Sequence, residues 1–210
     1  MSILPALTLG LALGVRHATD ADHIAAVGTI ASSGGSARRR ALVGAWWGVG
    51  HSASVLIVGG ALVALRLPMP TRLALALEFM VALMLIVLGV RALVARRMDA
   101  PASPLRPLVV GVLHGLAGSA VLALLVVAST DSSLTAAAYL LVFCVGTTTG
   151  MACISALFAL PVRVGAARAL RLERAVRVAA GVASIGIGVY MAHRVGIQDG
   201  LFAAMPPESR

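Results

Sequence analysis

The chain contains no lysine, two cysteines, eight acidic residues and only 4% aromatic side chains in 210 residues. Each shortage excludes something. Too few aromatics are present to build a surface on which nucleic-acid bases could stack. The 17 basic residues, all arginine, and the isoelectric point near 11.5 therefore do not point to nucleic acid. Cys144 and Cys153 lack the spacing of a metal clip or a redox pair and read as small apolar packing residues. No basic stretch precedes the N-terminal apolar run, so no cleavable signal is expected. The His-Glu-x-x-His pattern of zinc hydrolases and the phosphate-binding loop of ATPases do not occur. Nor does a histidine-rich loop of the kind that sequesters metal.

What the chain has in excess is hydrocarbon. It is 60% hydrophobic with mean hydropathy +0.98, against about 45–50% apolar residues in soluble domains. Apolar runs near residues 3–30, 41–65, 72–95, 107–129, 134–160 and 174–195 are each long enough to cross a bilayer, which takes roughly 20 helical residues. An all-α, multi-pass membrane protein with about six spans is expected, forming a single domain over 1–210. Its arginines fall in the connections. Arg38, Arg39 and Arg40 follow the first span; Arg96, Arg97 and Arg106 follow the third; Arg163, Arg168, Arg171, Arg174 and Arg177 cluster around the fifth connection. The connection at Asp131-Ser132-Ser133 has no base. Positive charge favours the cytoplasmic side, which places both termini outside.

Charge also stands where hydrocarbon should be. The octad Arg16-His17-Ala18-Thr19-Asp20-Ala21-Asp22-His23 lies inside the first apolar run. A carboxylate at the bilayer centre costs about 2.5–3.5 kcal/mol on insertion scales, so such groups are functional by default. One intramembrane histidine is commonly a packing group. Two imidazoles with two carboxylates form the donor set of a borderline metal such as nickel, cobalt or zinc. At about 100° per residue, Asp20 lies roughly 60° from both His17 and His23, while Asp22 points about 100° away from His23. A straight helix cannot bring all four to one ion. Either the helix is broken at the octad, or Asp22 is an outer-sphere or interhelical group. An unpaired guanidinium would repel a cation, so Arg16 is expected to pair with an acid.

The halves repeat at an offset near 97. Gly14-Val15-Arg16-His17 matches Gly111-Val112-Leu113-His114; Val49-Gly50-His51 matches Val145-Gly146-Thr147; Leu88-Gly89-Val90 matches Ile187-Gly188-Val189. Three spans per half is an odd number. The halves, about 1–98 and 107–196, should then enter the membrane in opposite senses, with the site near the midplane between them. His114 occupies the repeat position of His17. Thr147, Thr148 and Thr149 stand where the second half mirrors His51, and either line a pathway or form a small-residue packing face. Met151 reads as packing, and Trp46 and Trp47 as members of the cytoplasmic interface belt. Glu78 reads as an interfacial charge and His193 as a solvated residue.

The His-x4-Asp-His pattern of His17, Asp22 and His23 resembles the signature of the nickel/cobalt transporter family of bacterial permeases. Trp47-Gly48-Val49-Gly50-His51-Ser52 and His114-Gly115-Leu116-Ala117-Gly118-Ser119 resemble two further motifs of that family, in the expected order. Larger members place the signature on their second membrane helix; here it falls on the first. The resemblance implies a plasma-membrane permease, not an enzyme, that takes up Ni2+ or Co2+ as cargo and needs no cofactor. The implied metal residues are His17, Asp22 and His23, with Asp20 as ligand or orienting group and His51 and His114 completing the path. An exporter of the same metals is the nearest rival, followed by an intramembrane metal hydrolase and a metal-binding accessory protein.

Overall fold

The computed structural model describes residues 3–31, 36–65, 69–95, 103–117, 132–158 and 166–203. Helices are the only regular elements among them. They are α1 (Ile3–His17), α2 (Ala21–Ala31), α3 (Ala37–Ser54, prolonged by a π turn, Val55–Gly59, into Gly60–Leu65), α4 (Thr71–Val94), α5 (Leu105–Gly115), α6 (Ser133–Leu157) and α7 (Ala166–His193, prolonged by a π turn, Arg194–Gln198). Ser36 and Ser132 accept hydrogen bonds from the amides of Arg39 and Thr135 and so cap α3 and α6. Four stretches are long and apolar enough to cross a membrane: Ala37–Leu62, Thr71–Val94, Leu134–Leu157 and Arg171–Gln198. They correspond to the second, third, fifth and sixth expected spans. Of the fourth, α5 carries the beginning; residues 118–129 lie outside the described residues.

The first expected span, residues 3–30, is interrupted at the octad, one of the two alternatives that the helical wheel left open: two helices are separated at Ala18–Asp20. The amide of Thr19 turns back to Arg16 O (2.8 Å) and that of Asp20 to His17 O (3.1 Å). Thr19 Oγ1 donates to Arg16 O at 2.6 Å. Short polar side chains offer such local alternatives to the helical ladder, which restarts where Ile24 N donates to Asp20 O. With 15 residues at about 1.5 Å each, α1 is shorter than the roughly 30 Å hydrocarbon core.

The packing is reciprocal. Two helix pairs answer each other: α1 packs on α6, and α5 on α3. The centre joins α3 to α6, and α4 pairs with α7. Glycine permits the close approaches. A Cβ on Gly14 would strike the carbonyl of Phe143, and one on Gly111 the carbonyl of Trp47. Gly146 lies against Leu11 O as Gly50 lies against Leu108 O. Without water between helices, such backbone contact supplies the van der Waals attraction that holds a bundle together in lipid. A core of Ala18, Ala25, Ala26, Trp47, Leu85 and Met151 fills the middle. Trp47 is thus buried at 1% exposure and does not belong to an interface belt, whereas Trp46 is exposed.

Charged residues tie helix ends together. Arg40, buried on α3, donates to Phe158 O at 2.7 Å and to Glu173 Oε1 of α7 at 3.2 Å. Arg177 donates to Ala95 O beyond α4. Arg194 pairs with Glu78 (3.2 Å) and Asp199 (3.2 Å). Arg16 corrects another expectation: it is exposed and forms no ion pair among the described residues.

Candidate metal centre

The break after α1 turns the octad from a stripe into a cluster. His17 ends α1; Asp22 and His23 open α2; His51 comes from the body of α3; His114 ends α5. The four imidazoles are buried, His23 and His114 completely. His23 stands centrally, its ring centroid 4.4 Å from that of His17, 5.2 Å from His51 and 4.3 Å from His114.

Carboxylates fix the orientation of three rings. Asp20 Oδ2 lies 2.9 Å from His17 Nδ1. Asp22 reaches two rings at once: Oδ1 lies 3.1 Å from His23 Nδ1 and Oδ2 lies 3.0 Å from His114 Nε2. Asp22 Oδ1 also accepts the amide hydrogen of His23, at the N-terminus of α2 where negative charge is favoured. A carboxylate only accepts, so each of these ring nitrogens carries the proton and the other keeps its lone pair. This assignment leaves a lone pair on His17 Nε2, on His23 Nε2 and on His114 Nδ1. The His17 lone pair faces His51 Nε2 at 3.2 Å, so His51 donates there and has its lone pair on Nδ1. Among the described residues His23 Nε2, His51 Nδ1 and His114 Nδ1 are buried without a hydrogen-bond partner. Buried polar atoms are normally paired. Three such lone pairs in one cluster fit the donor set of a cation.

Two triads have ligand atoms within 4.8 Å of one another: His17, His23 and His51, and Asp22, His23 and His114. Two nitrogens each about 2.0–2.1 Å from one ion stand roughly 2.9–3.4 Å apart; the His17 Nε2–His51 Nε2 separation falls in that range, and an ion there needs the His51 proton on Nδ1. Neutral imidazole and carboxylate suit nickel, cobalt, copper or zinc.

Every metal residue expected from the sequence is therefore brought to one place, with Asp20 at its edge. Asp20 belongs to neither triad, its side chain is 48% exposed, and it touches the cluster through His17 Nδ1. The two alternatives left by the helical wheel both occur, since the helix breaks and Asp22 crosses to another helix. The threonines divide. Thr148 Oγ1 lies 3.0 Å from Ser52 Oγ, next to His51; Thr147 is buried and donates to Phe143 O of its own helix; Thr149 is exposed. Two neighbours were not expected. The Trp47 ring lies 5.5 Å from His23 and 5.6 Å from His114, and Phe143 lies 5.5 Å from His17. The signal was available for Trp47, which is four residues before His51, on the same helix face.

Comparison with known proteins follows the same lines. The family model described as high-affinity nickel-transport protein matches residues 4–99. The chain is similar to the urease accessory protein UreH of Bacillus sp. (strain TB-90), 29% identical over 221 aligned positions that cover 96% of each protein. No solved structure matches. The residues His17, Asp22, His23 and His51, whose motifs resemble the nickel/cobalt transporter family, thus lie inside the segment that this nickel-transport family model matches.

Proposed function

We propose that the chain is a multi-pass permease of the bacterial plasma membrane that takes up Ni2+, or Co2+, through the imidazole cluster. His17, His23 and His51 bind the ion, Asp22 and His114 extend the site, and Asp20 orients His17. The observation that carries this reading is the set of buried ring nitrogens without partners, drawn from α2, α3 and α5 around one histidine. A packing role would not leave lone pairs unsatisfied in a low-dielectric interior. Thr148, bonded to Ser52, is the threonine best placed to line the path.

The proposed architecture is a single domain over 1–210 with six crossings, built as two inverted halves, about 1–98 and 107–196, with both termini outside. Its support is the exchange of partners described above: α1 on α6 answers α5 on α3. Gly14 at Phe143 answers Gly111 at Trp47.

Inward movement is favoured by charge. Each elementary charge crossing 100 mV is worth about 2.3 kcal/mol, so a divalent ion entering a negative cell gains about 4.6 kcal/mol. That corresponds to roughly a thousandfold accumulation, and the chain carries no ATP-binding motif. The test is nickel flux in proteoliposomes under an imposed potassium-diffusion potential. Entry driven by an inside-negative potential is expected. Flux indifferent to that potential, but driven the other way by an opposing proton gradient, would replace uptake by export.

A further inference from the structure

We infer that the cluster offers the transported ion two overlapping seats that share His23 and are occupied in turn. One is His17, His23 and His51; the other is Asp22, His23 and His114. The inference rests on the proposed reading of the cluster as the transport site, and goes beyond it by dividing that site.

Three observations carry it. Each triad has its ligand atoms within 4.8 Å, and no larger set among the described residues meets that limit. Second, His23 lies midway, its ring 4.4 Å from His17 and 4.3 Å from His114. Its two nitrogens face different surroundings: Nδ1 meets Asp22 at 3.1 Å, while Nε2 has no hydrogen-bond partner. A neutral imidazole has one lone pair. With its proton on Nδ1, His23 presents Nε2 to an ion; with the proton on Nε2, it presents Nδ1 beside Asp22. It can therefore serve one ion at a time, and a shift of its proton from one ring nitrogen to the other changes which nitrogen is offered.

Third, the seats differ in origin and charge. His17 and His51 come from α1 and α3 of the first half, and the seat they form with His23 contains only neutral donors. The other seat contains the Asp22 carboxylate and recruits His114 from α5 of the second half. An ion passing between the seats keeps His23 and exchanges two imidazoles for a carboxylate and an imidazole, so it is never without protein ligands. Trp47, packed on both His23 and His114, walls the second seat.

The test uses the full chain, purified in detergent and in sealed proteoliposomes, with Co2+ as the probe. Equilibrium dialysis should give one cobalt per wild-type chain. His17→Ala and His114→Ala should each still bind one cobalt, no more than about 100-fold more weakly. X-ray absorption should find nitrogen-rich ligation in His114→Ala and added carboxylate oxygen in His17→Ala. His23→Ala and the double variant His17→Ala/His114→Ala should lose binding. In liposomes both single variants should lose flux although they bind, because handover needs both seats. His→Gln replacements and gel-filtration profiles guard against unfolding. Loss of cobalt from either single variant, two cobalts per wild-type chain, or wild-type flux in either single variant would overturn the two-seat inference alone. A wild-type chain that binds no cobalt at all would instead remove the cluster from transport.

Discussion

His17 and His51 meet nitrogen to nitrogen, Nε2 to Nε2, at 3.2 Å across α1 and α3. Asp20 settles the proton on the far side of His17, so one hydrogen alone separates the two rings, and a metal ion would take its place. Replacing either histidine by alanine should lower nickel affinity by no more than about 100-fold, because Asp22, His23 and His114 remain as donors, and should abolish flux. Isothermal titration against the purified chain checks this. Asp20→Asn, which keeps shape but loses the fixed acceptor charge, should fall within the 10- to 100-fold range.

Binding should report through one tryptophan. Trp47 touches the cluster and Trp46 is exposed. Nickel should quench the emission of Trp46→Phe strongly and that of Trp47→Phe weakly. Equal quenching in both would detach the ion from this cluster.

Protons and metal compete for the same lone pairs, and a protonated imidazole has none to offer. Affinity should therefore be highest with neutral rings and decline as falling pH protonates them. Cobalt titrations over a descending pH series give the profile. A profile that stays flat until the protein unfolds would mean that carboxylates or backbone carbonyls bind the ion without the rings.

Gly115 abuts the backbone of His51, and a Cβ there would meet His51 Cα and carbonyl. Gly115→Ala should push α5 away from α3, costing about 1–3 kcal/mol as over-packing and separating His114 from Asp22. A lowered unfolding temperature in detergent together with impaired transport is the expected pair of results. Gly186, which has nothing within reach of an added Cβ, should tolerate alanine and serves as control.

Arg40 is a structural counterpart at the helix ends. Arg40→Met would leave the part-buried Phe158 O and Glu173 without this donor, at a cost of about 1 kcal/mol. Glu173→Gln keeps an acceptor for Arg40 and should cost less. Thermal unfolding of the two variants should rank them in that order.

Much of the centre was legible because intramembrane charge is costly and therefore rare. His17, Asp22, His23, His51 and His114 stand out against apolar surroundings, and the angular mismatch of Asp20, Asp22 and the histidines already demanded a break or a second helix. The rest depends on which helix faces which. Trp47 looked interfacial from its place beside Arg40 and Trp46, but the other face of α3 turns it inward. Arg16 looked in need of a partner because its depth was inferred from the span; its exposure depends on α1 lying at the rim of the packed helices. Thr147 to Thr149 look equivalent in sequence, and only the rotation of α6 separates buried from exposed. Hydropathy does not register the three residues that leave the ladder in the first span; only the angular spread of the octad pointed to them.

The exchange of partners between halves also bears on how the chain is made. α1 leaves the ribosome first, yet its packing surface is supplied by α6, whose first residue comes 116 positions after the last of α1 (133 − 17). Contacts so distant in sequence close late. During synthesis α1 must wait with Gly14 and His17 uncovered, and residues 1–98 alone lack both α5 and α6. A truncated first half has no Phe143 carbonyl to seat Gly14 and no His114 to meet Asp22. The imidazole cluster is thus complete only when α5 has been made, and α1 gains its packing surface only when α6 has followed.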